Sequence, residues 1–132
     1  MTQPTSNEEL VRAASAAFGR GDMGALKDQY FAENVVWHVA GTGPLAGDYQ
    51  GAAQVMSVLG RVAALSGGTV RPELHDILVS NDHTVALTTI HAERAGKQVQ
   101  LNLVHVIHSQ NGKATEIWTH SSDPAGAAQF WS

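Results

Sequence analysis

Trp118 and His120 stand two residues apart in the stretch Gly112 to Asp123, which leaves a turn and alternates polar with apolar residues. An imidazole, with an ordinary pKa near ~6.5, can give or take a proton at neutral pH, and a well-placed one is worth about 10²–10⁴ in rate. An indole beside it offers an apolar wall for a ring or an isoprenoid chain. The chain carries seven histidines against eight Lys plus Arg in 132 residues, most of them in its second half. His120 is the first candidate for proton transfer. His105 is the second, sharing a proton with it or orienting a substrate oxygen. The plainer alternatives are a rim imidazole at 120 and a hydrogen-bonded core imidazole at 105. Trp118, Trp37, His38, Tyr30, Leu103 and His91 are candidate substrate-binding residues, whereas His75, His83 and His108 read as surface positions. His105 and His108, three apart on a strand, fall on opposite faces. No His-Glu-x-x-His helix is present, so no metal is expected.

The elements that must position these groups follow from capping residues and hydrophobic period. Ser6-Asn-Glu-Glu9 is a capping box, and Leu10, Ala14 and Phe18 recur at helical spacing up to Gly19 or Gly21. Asp22 caps a second short helix carrying Leu26 and Tyr30. The β-branched run 35–39 is a strand, and 41–51, with four glycines and a proline, is a loop that either covers a pocket or simply connects. Val55, Leu59 and Val62 define a third helix that ends at Ser66-Gly67-Gly68. Beyond Thr69 the period changes to two, giving strands over about 69–80, 83–93, 97–109 and 113–121. Asp123-Pro124 supplies the cap and first residue of a final helix through Phe130 and Trp131.

Asn111-Gly112 is a strong two-residue hairpin signal, because both central residues tolerate positive φ. Counting outward pairs Gln110 with Lys113, Ile107 with Glu116, His105 with Trp118 and Leu103 with His120. Cross-strand partners share a face, so Leu101, Leu103, His105, Glu116, Trp118 and His120 are expected together around one hollow. Both faces of this hairpin are largely apolar, which implies that both are covered. A slip of one residue would turn a whole set over.

Composition excludes several classes. A formal charge of −4 with scattered basic residues argues against nucleic acid. The absence of cysteine removes disulfides, thiolate chemistry and Cys-type zinc sites and fits a reducing compartment. No leader pattern and no apolar run near ~18 residues is present, so no membrane is expected and the chain reads as soluble and cytoplasmic. Helices followed by a meander of strands imply an α+β fold in which a curved sheet covers the helices and leaves a pocket at its mouth.

The chain resembles the nuclear transport factor 2-like superfamily, in its SnoaL-like or ketosteroid-isomerase-like branch, over about residues 7–131. The resemblance rests on Gly21-Asp22, on Phe31-Ala-Glu-Asn-Val-Val-Trp-His38, and on Gly41-Thr-Gly-Pro-Leu-Ala-Gly47 with Gly51. It continues in Asn111-Gly112-Lys113, Glu116-Ile-Trp118 and Asp123-Pro124. It implies a single SnoaL-like domain over 1–132, within which composition leaves only 1–5 to be disordered. The implied fold is a cone-shaped, strongly curved, mostly antiparallel sheet wrapped over the N-terminal helices around an internal pocket. It also implies a homodimer through the sheet and cofactor-independent acid/base work on a small hydrophobic carbonyl, enol or epoxide, of isomerase, polyketide cyclase, dehydratase or epoxide-hydrolase type. A non-catalytic apolar-ligand binder or assembly module is the alternative, since one scaffold hosts many functions.

Carried across residue by residue, the ketosteroid-isomerase base falls at Val39, with His38 adjacent, the oxyanion Tyr at Ala14 and the protonated Asp near Val104, so steroid isomerisation is not expected. The limonene-epoxide-hydrolase pattern places a last-strand carboxylate two residues after a Trp, here His120. Asp123 is the carboxylate nearest the acid–base position of SnoaL-type cyclases, though its place as a helix cap explains it more cheaply.

Overall fold

Three of the helices begin where a side chain satisfies their free amides. α1 (Asn7–Gly19) starts at Ser6, whose Oγ accepts from the Glu9 amide at 3.1 Å, and it buries Leu10, Val11 and Ala17. α2 (Met23–Ala25) is capped by Asp22, whose Oδ1 accepts from the Ala25 amide at 3.1 Å, and runs into a π-helical turn over Leu26–Tyr30. α4 (Pro124–Trp131) is capped by Asp123 with proline in its first turn. α3 (Ala52–Leu65) instead follows Gly51 at φ 86 and stops at Ser66 before Gly67 and Gly68. The computed structural model describes residues 6–132, so the expectation of disorder over 1–5 lies outside the described residues.

The strands are β1 (Phe31–Val39), β2 (Gly47–Gln50), β3 (Arg71–Val79), β4 (Thr84–Arg94), β5 (Lys97–Gln110) and β6 (Lys113–Ser121). They form one curved, open sheet in the order β2-β1-β6-β5-β4-β3. Every pairing is antiparallel except β1 with β6. The expected α+β architecture is therefore the observed one. β2 was hidden in the glycine-rich loop, because Gly47-Asp-Tyr-Gln50 has no apolar run; pairing with β1 makes it a strand. The four later strands lie within two residues of their expected bounds. Helices pack on one face of the sheet, where the two buried clusters meet: Leu10, Val35, Val55 and Ile117 in one, Leu45, Ile90, Leu101 and Trp131 in the other.

One register expectation is overturned. Asn111 and Gly112 take φ of 54 and 77, as the hairpin turn requires, and Gln110 pairs with Lys113. The ladder then shifts: Ser109 faces Ala114, but His108 faces Glu116, leaving Thr115 as an extra residue. Its hydroxyl donates to the His108 carbonyl at 3.2 Å. Above this bulge Ile107 pairs with Ile117, His105 with Thr119, Val104 with His120 and Leu103 with Ser121. β6 from Glu116 onward is thereby turned over relative to β5.

Candidate functional site

The inner face of the sheet and the helices enclose a cavity of about 260 Å³. α1 contributes Leu10, Ala14 and Phe18; α3 contributes Val58, Leu59 and Val62; the sheet contributes Ile90, Leu101, Leu103 and Ile117. Tyr30, Thr88, His105, Thr119 and Ser121 add polar atoms, and among the described residues no Asp, Glu, Lys or Arg belongs to the lining. Among the lining residues Ala40, Thr42 and Pro124 are exposed, which places the mouth between the 40–46 loop and the start of α4. That loop thus walls the cavity instead of merely connecting β1 to β2. The Tyr49 hydroxyl donates to the Leu45 carbonyl at 2.7 Å, and Arg61 donates to the Pro44 carbonyl at 3.1 Å. Gly43, at φ +104, lies so near α4 that a β-carbon there would come within 2.8 Å of the Ala128 Cβ.

The polar pole of the cavity spans three strands. Trp37, from β1, donates its indole N–H to Thr119 Oγ1 on β6 at 2.7 Å. The same oxygen lies 2.7 Å from His105 Nδ1 on β5. The Trp37 and His105 rings meet edge to face, with centroids 6.2 Å apart. Strand alternation explains the convergence: Trp37, Thr119 and His105 all occupy inward positions beside buried Val35, Ile117 and Ile107. Burial disfavours the imidazolium and pushes the His105 pKa from its ordinary 6.5 down to about 4, so the ring is neutral at pH 7. Its Nε2 has no partner among the described protein groups, yet it is not occluded, which makes it the nitrogen offered to the cavity.

Of the candidates taken from sequence, His105, Trp37, Tyr30 and Leu103 line this cavity. His120, Trp118, His38 and His91 do not, and the expectation of His105, Trp118 and His120 around one hollow is corrected. The Thr115 bulge sends Trp118 and His120 to the outer face, where His120 is exposed opposite Val104. His38 projects outward by alternation from Trp37. Its Nδ1 lies 2.7 Å from Asp48 Oδ1 and its Nε2 lies 2.7 Å from Glu116 Oε2, while its ring stacks on Trp118 at 5.6 Å. Hydrogen bonds to Asp48 and then Glu116 raise its pKa. His91 is also on the outer face, 3.2 Å from Glu73 Oε1. Asp123 is spent as a cap, its Oδ1 accepting from the Gly126 amide at 3.0 Å.

Thr119 is the site residue that sequence reasoning missed, because the unbulged register assigned it to the other face. A signal existed in Ala114-Thr-Glu-Ile117. Two consecutive polar residues between small or apolar ones break the period of two, as an inserted residue does. Among the described residues no three His, Asp or Glu side chains gather as metal ligands. No helix among them is long and apolar enough to cross a membrane.

Comparison with known proteins gives the same architecture. The model of the SnoaL-like domain matches residues 11–117. An uncharacterised protein of Mycobacterium tuberculosis is 36% identical over 124 residues, covering 93% of this chain and 94% of its own length. Bal32a, from a soil-derived mobile gene cassette, superposes with a TM-score of 0.91 at 33% identity, covering 96% of each chain. TerC, co-crystallised with polyporic acid, superposes with a TM-score of 0.82 at 23% identity, covering 96% of this chain and 98% of its own, a likeness of fold alone.

Proposed function

The chain belongs to the SnoaL-like domain family, and on that basis we propose that it is a cofactor-independent enzyme acting on a small hydrophobic carbonyl or enol compound held in the inner cavity. The observation that carries this reading is an uncharged imidazole nitrogen, free of protein partners among the described residues, in a wall that is mostly apolar. Such a pocket binds through its apolar area and orients its ligand through few polar groups. Family members include polyketide cyclases and isomerases, and the cavity chemistry favours ring closure. When an enol adds to a carbonyl, a C–C bond forms, the carbonyl π pair moves onto its oxygen, and the enol proton ends on that oxygen. No residue gains or loses a net proton, so a neutral imidazole beside that oxygen suffices. Epoxide opening draws no support, because among the described residues no carboxylate lines the cavity to activate water.

A second reading is a carrier or sensor of an apolar ligand. The low pKa of His105 favours it, since an imidazole that titrates at about 4 is a weak base at neutral pH. Ligand-induced stabilisation, which scales as RT ln(1 + [L]/Kd), finds ligands for either reading, and product analysis separates them. With a binding enol-ketone, His105→Ala should retain stabilisation and lose turnover if the site is catalytic. Binding with no product from the unmodified protein would replace the enzyme by the carrier. We also propose that a second copy covers the outer sheet face, where Leu78 and Val104 are 53% and 37% exposed beside half-buried Val85, Leu87 and Val106.

A further inference from the structure

We infer that Thr119 and Trp37 are positioning residues that hold His105 in the tautomer protonated at Nε2, so that the cavity presents a hydrogen-bond donor and selects ligands bearing an acceptor oxygen. The inference rests on the cavity reading above, and it follows from counting protons.

The Trp37 indole N–H can only donate, so Thr119 Oγ1 accepts from it at 2.7 Å. Thr119 then has one hydrogen to give. The only other hydrogen-bond partner of that hydroxyl among the described residues is His105 Nδ1, also at 2.7 Å. If Nδ1 carried the imidazole proton, Thr119 would accept twice and its own O–H would have no acceptor. An unpaired hydroxyl at a residue only 8% exposed is costly. If Thr119 donates to Nδ1, every hydrogen in the relay is used and the imidazole proton must sit on Nε2. The neutrality of His105 is what makes the count close, because an imidazolium would carry both protons.

Trp37 does more than fill space in this scheme. By occupying one lone pair of Thr119 it turns the hydroxyl hydrogen toward β5. The ring that results is an N–H donor fixed in an apolar wall, suited to a ketone or enolate oxygen. It discriminates against a group that can only donate and gains nothing from a hydrocarbon of the same shape.

Nitrogen-15 NMR of the unliganded protein at pH 7 tests this, with the His105 signals assigned by their loss in His105→Gln. The expected spectrum shows a pyrrole-like Nε2 and a pyridine-like Nδ1. The opposite pattern would overturn the inference whatever the protein binds. In Thr119→Val the preference should fall to a mixture, and Thr119→Ser should restore it. A valine variant that keeps pure Nε2 protonation would remove Thr119 from the role; should that variant not fold, Trp37→Phe gives the same test by freeing the lone pair.

The probes 2-tetralone and tetralin, matched in shape, supply the binding arm. The ketone should bind about 3- to 10-fold more tightly than the hydrocarbon to the unmodified protein, and the gap should narrow in Thr119→Val in proportion to the lost Nε2-protonated fraction. Equal affinities in the unmodified protein would overturn the selectivity. Failure of both probes to bind would count against the cavity reading, while the NMR result would still decide the tautomer.

Discussion

His105 and His38 project from opposite faces of one sheet, and their surroundings move their protonation in opposite directions. Inside, apolar mass and a neutral threonine leave an imidazolium nothing to pair with, and the pKa falls to about 4. Outside, two carboxylates at 2.7 Å hold the charged form of His38, and its pKa rises. The residue type is the same and so is the strand geometry. What differs is which face supplies carboxylates, and that is set by alternation: Trp37 inward, His38 outward. The parity of their positions thus makes His105 a neutral hydrogen-bonding group and His38 one arm of an ion-pair staple.

The contrast predicts unequal losses of function. His105→Ala should lower turnover by about 10²- to 10³-fold, the cost of losing one oxyanion donor, measured as product formed per unit time. His120→Ala, on the outer face, should leave that rate unchanged. A large loss in His120→Ala would restore the site to the outer face.

The two rings should next give opposite slopes of stability against pH. The His105 pKa is lower folded than unfolded, so between pH 6.5 and 4 the unfolded chain binds the extra proton. Its contribution is complete above pH 6.5 and is lost as pH falls toward 4, amounting to at most about 3 kcal/mol. The His38 pKa is higher folded than unfolded, so its contribution is complete below pH 6.5 and is lost as pH rises through the folded value. Urea unfolding from pH 4 to 8 should therefore lose its acid-side fall in His105→Leu, with the high-pH loss removed instead in His38→Gln.

A third expectation concerns the outer face as a surface. Leu78→Lys with Val104→Lys should convert a dimer to a monomer in sedimentation experiments while leaving the cavity's ligand affinity unchanged, because an unpaired ammonium is costly to bury in an apolar contact. The smallest effect belongs to the staple. Asp48→Asn should lower the His38 pKa in an NMR titration and cost less than about 1 kcal/mol of stability, because Asp48 is 70% exposed.

Much of this was legible in the sequence, and the exceptions share a cause. Ser6, Asp22 and Asp123 announced helix starts because capping is a local hydrogen bond between near neighbours. Asn111-Gly112 announced its turn for the same reason, through backbone freedom at two residues. His105 and Trp37 were placed among the cavity candidates, and Tyr30 and Leu103 with them. What failed was parity across the hairpin, because both faces of β5 and β6 carry apolar side chains and the alternation alone does not say which face is inside. Thr115 decided the matter, and it exchanged His120 and Trp118 for Thr119. β2 was illegible for a different reason: a four-residue edge strand is created by its partner.

The parallel pairing of β1 with β6 has a consequence for how the molecule assembles. β1 and β2 join the remaining four strands only through β6, and the Trp37–Thr119 bond closes a separation of 82 residues. Loop-closure entropy must be met before such a contact returns anything, so the step is slow compared with forming α1 or the β5–β6 hairpin. Until β6 docks, the cavity lacks the Ile117 and Thr119 wall and the Trp37 indole lacks its hydrogen-bond acceptor. Closing the cavity and completing the sheet are therefore one event on the folding path.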